Sequence, residues 1–322
     1  MMMGRRSCFS LMLASLGELR QGTLAFVTVS LGRHLAMDNP YIQGSTGAAA
    51  EHRSQTDPTV EVLNALFPPK GQEVVDEIEG GSVPSYAQRI EAGRAAQGLL
   101  TTDGLVARTL VPPRELTYGE FNLDFFLDMV EECLHIRAGD GSERGALESE
   151  ASKLVFGDMG AGCGRLVVAQ ALTWPWRYCR GVEKVESLHG MGSEALLRAG
   201  RMTTDPTLSS DAQRLLATMA PCSLSLGDVN DDKVDISDVD VLFCYSSSFP
   251  AFGDLLTEFS YTLGHKLRCG AQVITTDRRL VSDGPWEFCL VRQREGLNSE
   301  TGGKSTAYLW QVVRSALGNK RQ

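Results

Sequence analysis

The spacing of hydrophobic residues changes near position 153 of the chain. Before it, apolar residues recur at helical spacing in residues 59–67, 85–100 and 122–136, which predicts three helices. The polar stretch "RAGDGSERGALESEAS", residues 137–152, is predicted to be a flexible loop. After Lys153, short apolar runs alternate with helical segments. Such alternation predicts an α/β fold, with a parallel sheet and helices on both of its faces.

Seven runs have the length and composition of strands. They are "KLVFGDM", "YCRGVEKV", "CSLSLGDV", "VDVLFCYSS", "AQVITTD", "WEFCLVRQRE" and "STAYLWQVVRS". Only a Gly-rich loop separates the last two runs, whereas a parallel crossover needs about a dozen residues. The sequence therefore predicts a mostly parallel seven-stranded sheet with an antiparallel C-terminal edge pair.

The predicted organisation has four parts. Residues 1–58 form an N-terminal extension, 59–150 a helical lead-in, 151–316 the catalytic domain and 317–322 a tail. The first 40 residues begin with two arginines and a short apolar run, an order found in secretory signals. They are also poor in acids and contain four arginines, as organelle transit peptides do. A poorly ordered extension is the third interpretation, and the three alternatives stay open.

Composition excludes several classes of protein. The chain has 322 residues and a net charge of -9, which argues against a surface that coats nucleic acid broadly. None of its eight cysteines falls in a C-x-x-C pair, so zinc-knuckle and thioredoxin-like sites are not expected. No cluster of His and acidic residues has metal-ligand spacing, and no metal site is predicted. "GGKST" lacks the first glycine of a P-loop, because Asn298 stands there.

A glycine turn follows the first predicted strand. Asp158 is followed by Gly160, Gly162 and Gly164 at alternate positions, and a helical segment comes next. Ligands of open α/β sheets bind beyond the carboxyl ends of the strands, so this turn is a candidate nucleotide site. The dinucleotide pattern G-x-G-x-x-G requires glycine at position 165, which is Arg165. The D-x-G-x-G-x-G form resembles the first motif of class I S-adenosylmethionine methyltransferases, and NAD remains the alternative.

Two further acids stand at the ends of the next two predicted strands. Glu183 follows the glycines by about 20 residues, where a carboxylate accepts hydrogen bonds from both ribose hydroxyls. Asp228 ends the third strand, where a carboxylate can accept a hydrogen bond from an adenine amino group. Three acids at three successive strand ends are typical of a nucleotide site rather than of a solvated surface.

These motifs resemble one group of enzymes. Tyr118-Gly119-Glu120 before an amphipathic helix, then D-x-G-x-G-x-G, G-V-E and G-D, is similar to the catalytic domain of the Dot-one (disruptor of telomeric silencing) histone lysine methyltransferases, which lack a SET domain. The resemblance spans residues 116–314 and implies a class I methyltransferase Rossmann-like fold with S-adenosyl-L-methionine as cofactor. It also implies a nuclear location and a protein acceptor such as the nucleosome. No membrane partner is expected, because no apolar run reaches the ~18 residues needed to span a bilayer.

The resemblance assigns roles by position. Asp158 and Gly160 would hold the methionine end of the cofactor, Glu183 the ribose and Asp228 the adenine. Tyr118 and Glu120 would belong to a loop that folds over the cofactor, with Gly162 in the glycine turn.

The acceptor side departs from the family. The family has an Asn-Asn pair ahead of a Phe after the fourth strand, whereas this chain has Tyr245 and Ser246, with Phe249 further on. We expect Tyr245 and Ser246 to line the acceptor channel and to orient an amine. The alternative is that the serines only cap the following helix. A protein lysine methyltransferase, a small-molecule methyltransferase and a non-catalytic cofactor-binding module all remain open.

Overall fold

A computed structural model describes residues 57–67, 121–298 and 303–317 of the chain. The predicted helix at 85–100, the N-terminal extension and the Tyr118-Gly119-Glu120 motif lie outside these residues. The helices of the described part are α1 (Pro58–Leu66), α2 (Leu123–Ala138), α3 (Arg144–Ala151), α4 (Arg165–Thr173), α5 (Glu186–Arg201), α6 (Ser210–Ala217) and α7 (Thr257–Lys266). In these segments we find no helix of the length and apolar character needed to cross a membrane.

The strands form a single seven-stranded sheet in the described part of the chain. They are β1 (Val155–Met159), β2 (Tyr178–Glu183), β3 (Cys222–Leu226), β4 (Val241–Cys244), β5 (Gln272–Thr276), β6 (Glu287–Asn298) and β7 (Gly303–Arg314). Their spatial order is β3-β2-β1-β4-β5-β7-β6. β1 to β5 are mutually parallel, and β7 runs antiparallel to both β5 and β6. This is the order of the class I methyltransferase Rossmann-like fold, so the predicted fold class is confirmed.

The chain reverses its direction of strand addition beside β1. β2 and β3 extend the sheet to one side, and β4 and β5 extend it to the other. Asp158 on β1 is in register with Gly181 on β2 and with Phe243 on β4. The crevice above β1 is therefore the topological switch point, where ligands of open α/β sheets bind.

The prediction of one loop over residues 137–152 is wrong for its second half. Helix α3 occupies Arg144–Ala151, and it buries Leu147 and Ala151 against the core. Arg144 pairs with Glu148 one turn later at 2.8 Å, and its guanidinium lies 3.7 Å from the ring centre of Trp174. Two apolar residues four positions apart are enough to hold a short helix on a neighbouring surface, although its polar composition is typical of a loop.

Two hydrophobic clusters cover the two faces of the sheet. One contains buried residues of α1 to α6 together with Phe156 and Phe243 of the sheet. The other contains Phe259 and Leu263 of α7, packed on the opposite face. Helices α1 to α3, which precede β1, therefore share the first cluster with α4 to α6, which follow it.

Candidate cofactor and acceptor site

A cavity of about 250 Å³ opens at the carboxyl ends of β1 to β4. The residues that line it come from the glycine loop, from the three strand ends and from an aromatic wall: Phe121, Asp158, Gly160, Ala161, Gly162, Cys163, Arg165, Leu166, Val182, Glu183, Lys184, Leu188, Gly227, Asp228, Val229, Asn230, Phe243, Tyr245, Phe249, Pro250 and Glu258. The structure thus brings Asp158, Glu183 and Asp228 to one cavity.

The glycines of the loop are required by its backbone conformation. Gly160, Gly162 and Gly164 have φ values of 78°, 56° and 80°, in the left-handed region that side chains disfavour. A Cβ atom at Gly164 would also lie 2.6 Å from Leu224 on β3. These conformations turn the chain sharply from β1 into α4.

The N–H groups of this loop are mostly engaged within the protein. Those of Gly160 and Ala161 donate to the Val182 carbonyl at 2.9 and 3.0 Å, and that of Gly164 donates to the Ala161 carbonyl at 2.8 Å. The Gly162 N–H donates to the Glu183 carboxylate at 2.7 Å. A diphosphate needs loop N–H groups that point at its oxygens, so this loop is poorly suited to a dinucleotide.

Asp158 is a buried acid on the cavity wall, with 2% of its surface exposed. Burial, and then the negative charge of Glu183, raise the pKa of Asp158 from 3.8 to about 8. A buried carboxylate beside a second one is costly unless a positive charge joins them. The part of the cavity beside Asp158 is therefore suited to a cationic group rather than to a phosphate.

Glu183 at the end of β2 joins the glycine loop to the next helix. One carboxylate oxygen accepts from the Gly162 N–H and the other from the Val185 N–H, both at 2.7 Å. Each carboxylate oxygen has room for a second donor. The side chain is thus held in position while it retains capacity for the two hydroxyls of a ribose.

Asp228 follows β3 and has two partners. Its carboxylate pairs with Lys184 at 3.0 Å and accepts from the Asn230 N–H at 2.9 Å. Burial raises the pKa of Asp228, but the Asn230 N–H and the Lys184 ammonium outweigh that effect and hold the pKa below 3.8. Asp228 is thus a fixed, ionised acceptor at the far end of the cavity from the aromatic wall.

Aromatic rings form the wall beside β4. The ring centres of Phe121 and Tyr245 lie 5.2 Å apart, and those of Phe121 and Phe243 lie 5.6 Å apart. The Phe249 ring packs on the glycine loop, since a Cβ at Gly160 would lie 3.2 Å from it. Glu258, in the first turn of α7, adds a carboxylate to the rim.

The structure places Ser246 away from the cavity lining, contrary to the expectation for the acceptor channel. Its side chain is fully buried, and its hydroxyl donates to the Thr276 carbonyl at 2.6 Å and accepts from the Thr276 N–H at 2.9 Å. The hydroxyl therefore ties the end of β4 to the end of β5. Tyr245, one residue earlier, does line the cavity.

Several lining residues were not identified from the sequence. Phe121, Arg165, Lys184, Asn230 and Glu258 belong to this set. Lys184 and Asn230 lie within two residues of predicted site acids, which is a local signal. Phe121 and Glu258 come from the starts of helices far away in sequence, and no local pattern distinguishes them. Tyr118 and Glu120 lie outside the described residues.

Comparison with solved structures finds distant likenesses, of which three illustrate the range. No protein-family model and no curated protein matches the chain. An RNA methyltransferase from Salinibacter ruber, solved with S-adenosyl-L-homocysteine, matches with a TM-score of 0.34 and 18% identity, over 57% of this chain and 91% of that one. TrmN from Thermus thermophilus matches with a TM-score of 0.38 and 14% identity, over 62% and 52% of the two chains. A putative RNA methyltransferase from Pyrococcus horikoshii matches with a TM-score of 0.38 and 12% identity, over 80% and 97%.

The superpositions are too loose to indicate a substrate. The fold assignment rests on the strand order and on the antiparallel insertion of β7.

Among the described residues, no group of three or more His, Cys, Asp and Glu side chains is arranged to hold a metal ion.

Proposed function

We propose that the protein is an S-adenosyl-L-methionine-dependent methyltransferase. The observation that carries the proposal is the set of three acids, Asp158, Glu183 and Asp228, around a glycine loop whose N–H groups are largely engaged. A cofactor with two positive charges, a ribose and an adenine is complementary to this set. NAD, with its diphosphate, would place two negative charges beside Asp158.

Each side chain has one role in this proposal. Asp158 faces the positive charges of the methionine end, Glu183 accepts from the ribose hydroxyls, and Asp228 accepts from the adenine amino group. Leu188 and Val229 supply apolar surface within the cavity. These assignments follow the order of the strand ends from β1 through β2 to β3.

When bound, the cofactor supplies a methyl group on a positively charged sulfur. Held by Asp158, Glu183 and Asp228, it would transfer that methyl group to the lone pair of an acceptor atom, and the electron pair of the broken carbon–sulfur bond would remain on sulfur as a neutral thioether. Phe121, Tyr245 and Phe249 would enclose the acceptor side and exclude water. Proximity and orientation contribute about 7–11 kcal/mol in well-aligned reactions, so the chain needs mainly to position the two partners.

A nitrogen of a protein lysine is the acceptor that the Dot-one-like motifs favour. The aromatic wall and the Glu258 carboxylate suit an alkylammonium group, which is attracted to ring faces. A lysine must lose its proton before it reacts, at a cost of about 4.6 kcal/mol at pH 7. Alignment in the enclosed channel outweighs that cost, and the proton leaves to solvent.

Cofactor binding is the first test. Thermal shifts and titration calorimetry with S-adenosyl-L-methionine, S-adenosyl-L-homocysteine and NAD should show binding of the first two. A ligand at 100 times its Kd should stabilise the protein by about 2.7 kcal/mol. A shift with NAD and none with the other two would overturn the proposal.

Methyl transfer is the second test. Transfer of a labelled methyl group to nucleosomes, free basic proteins, RNA and small amines should favour a protein lysine. Label on RNA or a small molecule would retain the methyltransferase assignment and reject the lysine. Binding without transfer to any acceptor would indicate a cofactor-binding module.

A further inference from the structure

Lys266, at the end of α7, is surrounded by three backbone carbonyl groups. Its ammonium nitrogen donates to the carbonyl oxygen of Val229 at 2.8 Å, to that of Val234 at 2.9 Å and to that of Asp231. An ammonium group has three N–H donors, so these three bonds match its full donor capacity. The accepting carbonyls all belong to residues 228–234, the loop that follows β3.

This loop, called the 228–234 loop below, carries the adenine end of the cavity. Asp228, Val229 and Asn230 line the cavity. The loop is a series of tight turns, in which the Asp231 N–H donates to the Asp228 carbonyl at 2.9 Å and the Val234 N–H donates to the Asp231 carbonyl at 3.0 Å. These turns direct three carbonyl oxygens toward one point, where the Lys266 ammonium donates to all three.

A second bond joins α7 to the same loop. The Thr262 hydroxyl, one turn before Lys266, donates to the side-chain oxygen of Asn230 at 2.6 Å. Thr262 is buried, so its hydroxyl is directed at the loop rather than at solvent. The positive charge of Lys266 also contributes to lowering the pKa of Asp228. Helix α7 therefore holds the loop in position and favours the ionised form of Asp228.

We propose that Lys266 is a positioning residue for nucleobase recognition, and that Thr262 assists it. This inference rests on the proposed function. By holding the 228–234 loop, Lys266 keeps the Asp228 carboxylate where it reads an amino group on the base. The class of ligand selected is a 6-aminopurine nucleoside, and a 6-oxopurine would place an oxygen against Asp228.

Titration calorimetry with S-adenosyl-L-homocysteine and its 6-oxo analogue, S-inosyl-L-homocysteine, tests the inference. We expect the intact protein to prefer the amino form by about 10-fold or more, the size of one hydrogen bond to a charged group. Lys266→Met should weaken binding of the amino form by about 10-fold and leave the oxo form within about 2-fold, because only the amino form uses Asp228. Lys266→Arg should restore part of the preference, since it keeps the charge.

Two further variants separate positioning from general stability. Lys153→Met removes an exposed lysine that precedes β1 and pairs with Glu150, outside the cavity lining, and should leave the preference unchanged. Thr262→Val keeps the shape of α7 and removes one bond, so it should reduce the preference in the same direction even if Lys266→Met does not fold. An equal loss for both ligands, or an unchanged preference, would overturn the role of Lys266. Equal binding of the two ligands by the intact protein would also overturn it while the proposed cofactor stands, and failure to bind either would overturn both.

Discussion

The Glu183 carboxylate accepts a hydrogen bond from the Gly162 N–H at 2.7 Å, across 21 positions of sequence. This bond joins the end of β2 to the glycine loop that follows β1. The second carboxylate oxygen of Glu183 accepts from the Val185 N–H at the start of α5. One side chain therefore shapes the loop and presents acceptors to the cavity, so cofactor binding and loop stability depend on the same residue.

Glu183→Ala should weaken S-adenosyl-L-homocysteine binding on the order of 100-fold, because hydrogen bonds to charged groups contribute about 1.5–3 kcal/mol. It should also lower the free energy of unfolding by about 1.5–3 kcal/mol, since two backbone N–H groups lose their acceptor. Titration calorimetry and urea denaturation measure the two effects. Glu194→Ala, which removes an exposed acid in the middle of α5, is the matched control and should change neither. Unchanged affinity in Glu183→Ala would mean that the ribose is held elsewhere.

Asp158 should make the ligand-free protein less stable as the pH rises. Its folded-state pKa of about 8 lies above the ordinary 3.8, so folding takes up a proton between these values. The contribution of Asp158 should therefore fall by about 1.4 kcal/mol per pH unit across that window. Urea denaturation at pH 5.5, 6.5 and 7.5 measures the slope.

Asp158→Asn removes the titrating group and serves as the reference for that slope. As the pH rises, the unfolding free energy of the variant should increase relative to that of the unsubstituted protein. A difference that stays constant from pH 5.5 to 7.5 would show that Asp158 is ionised throughout. Saturating S-adenosyl-L-methionine should flatten the slope, because its positive charges favour the ionised carboxylate.

Gly164→Ala should lower the free energy of unfolding by about 1–3 kcal/mol. The residue has φ of 80°, and the new methyl group would meet Leu224 at 2.6 Å. Gly190→Ala is the matched control, because Gly190 lies inside α5 with no neighbouring atom within 4 Å of a Cβ. That control should stabilise the protein by about 0.5–1 kcal/mol. Equal effects in the two variants would contradict a strained loop.

Ser246→Ala should destabilise the protein by about 1–3 kcal/mol, because the buried Thr276 N–H and carbonyl lose their hydroxyl partner. Its affinity for S-adenosyl-L-homocysteine should stay within about 2-fold. Tyr245→Phe should behave oppositely, with stability retained and turnover reduced up to about 10-fold through the loss of one hydrogen bond. Urea denaturation and methyl-transfer rates distinguish the pair. A turnover defect without destabilisation in Ser246→Ala would support the predicted role of Ser246 in the acceptor channel.

Sequence spacing was informative wherever the signal is local. Strand–helix alternation after residue 153 predicted the sheet, because a strand buried on both faces is a short apolar run. The glycine turn and the acids at positions 158, 183 and 228 were recognisable, because each directly adjoins such a run. The edge pair followed from the short connection between β6 and β7. The same local reasoning missed α3, which depends on the surface it packs against.

Tertiary structure decided the contacts between segments that are far apart in sequence. Sequence spacing does not indicate that β7 inserts between β5 and β6, since either order satisfies the hairpin. Sequence reasoning also predicted that Ser246 lines the acceptor channel. In the structure, its hydroxyl is buried and donates to the Thr276 carbonyl. In the sequence, Lys266 is an ordinary lysine at the C-terminal end of a helix. Only the structure shows that carbonyl groups of the 228–234 loop surround it. The sequence by itself determined which strand ends carry acids, because those positions follow from alternation. Folding decided which of the neighbouring polar groups face the cavity and which hold its walls, because hydrogen bonds across more than 20 residues have no periodicity.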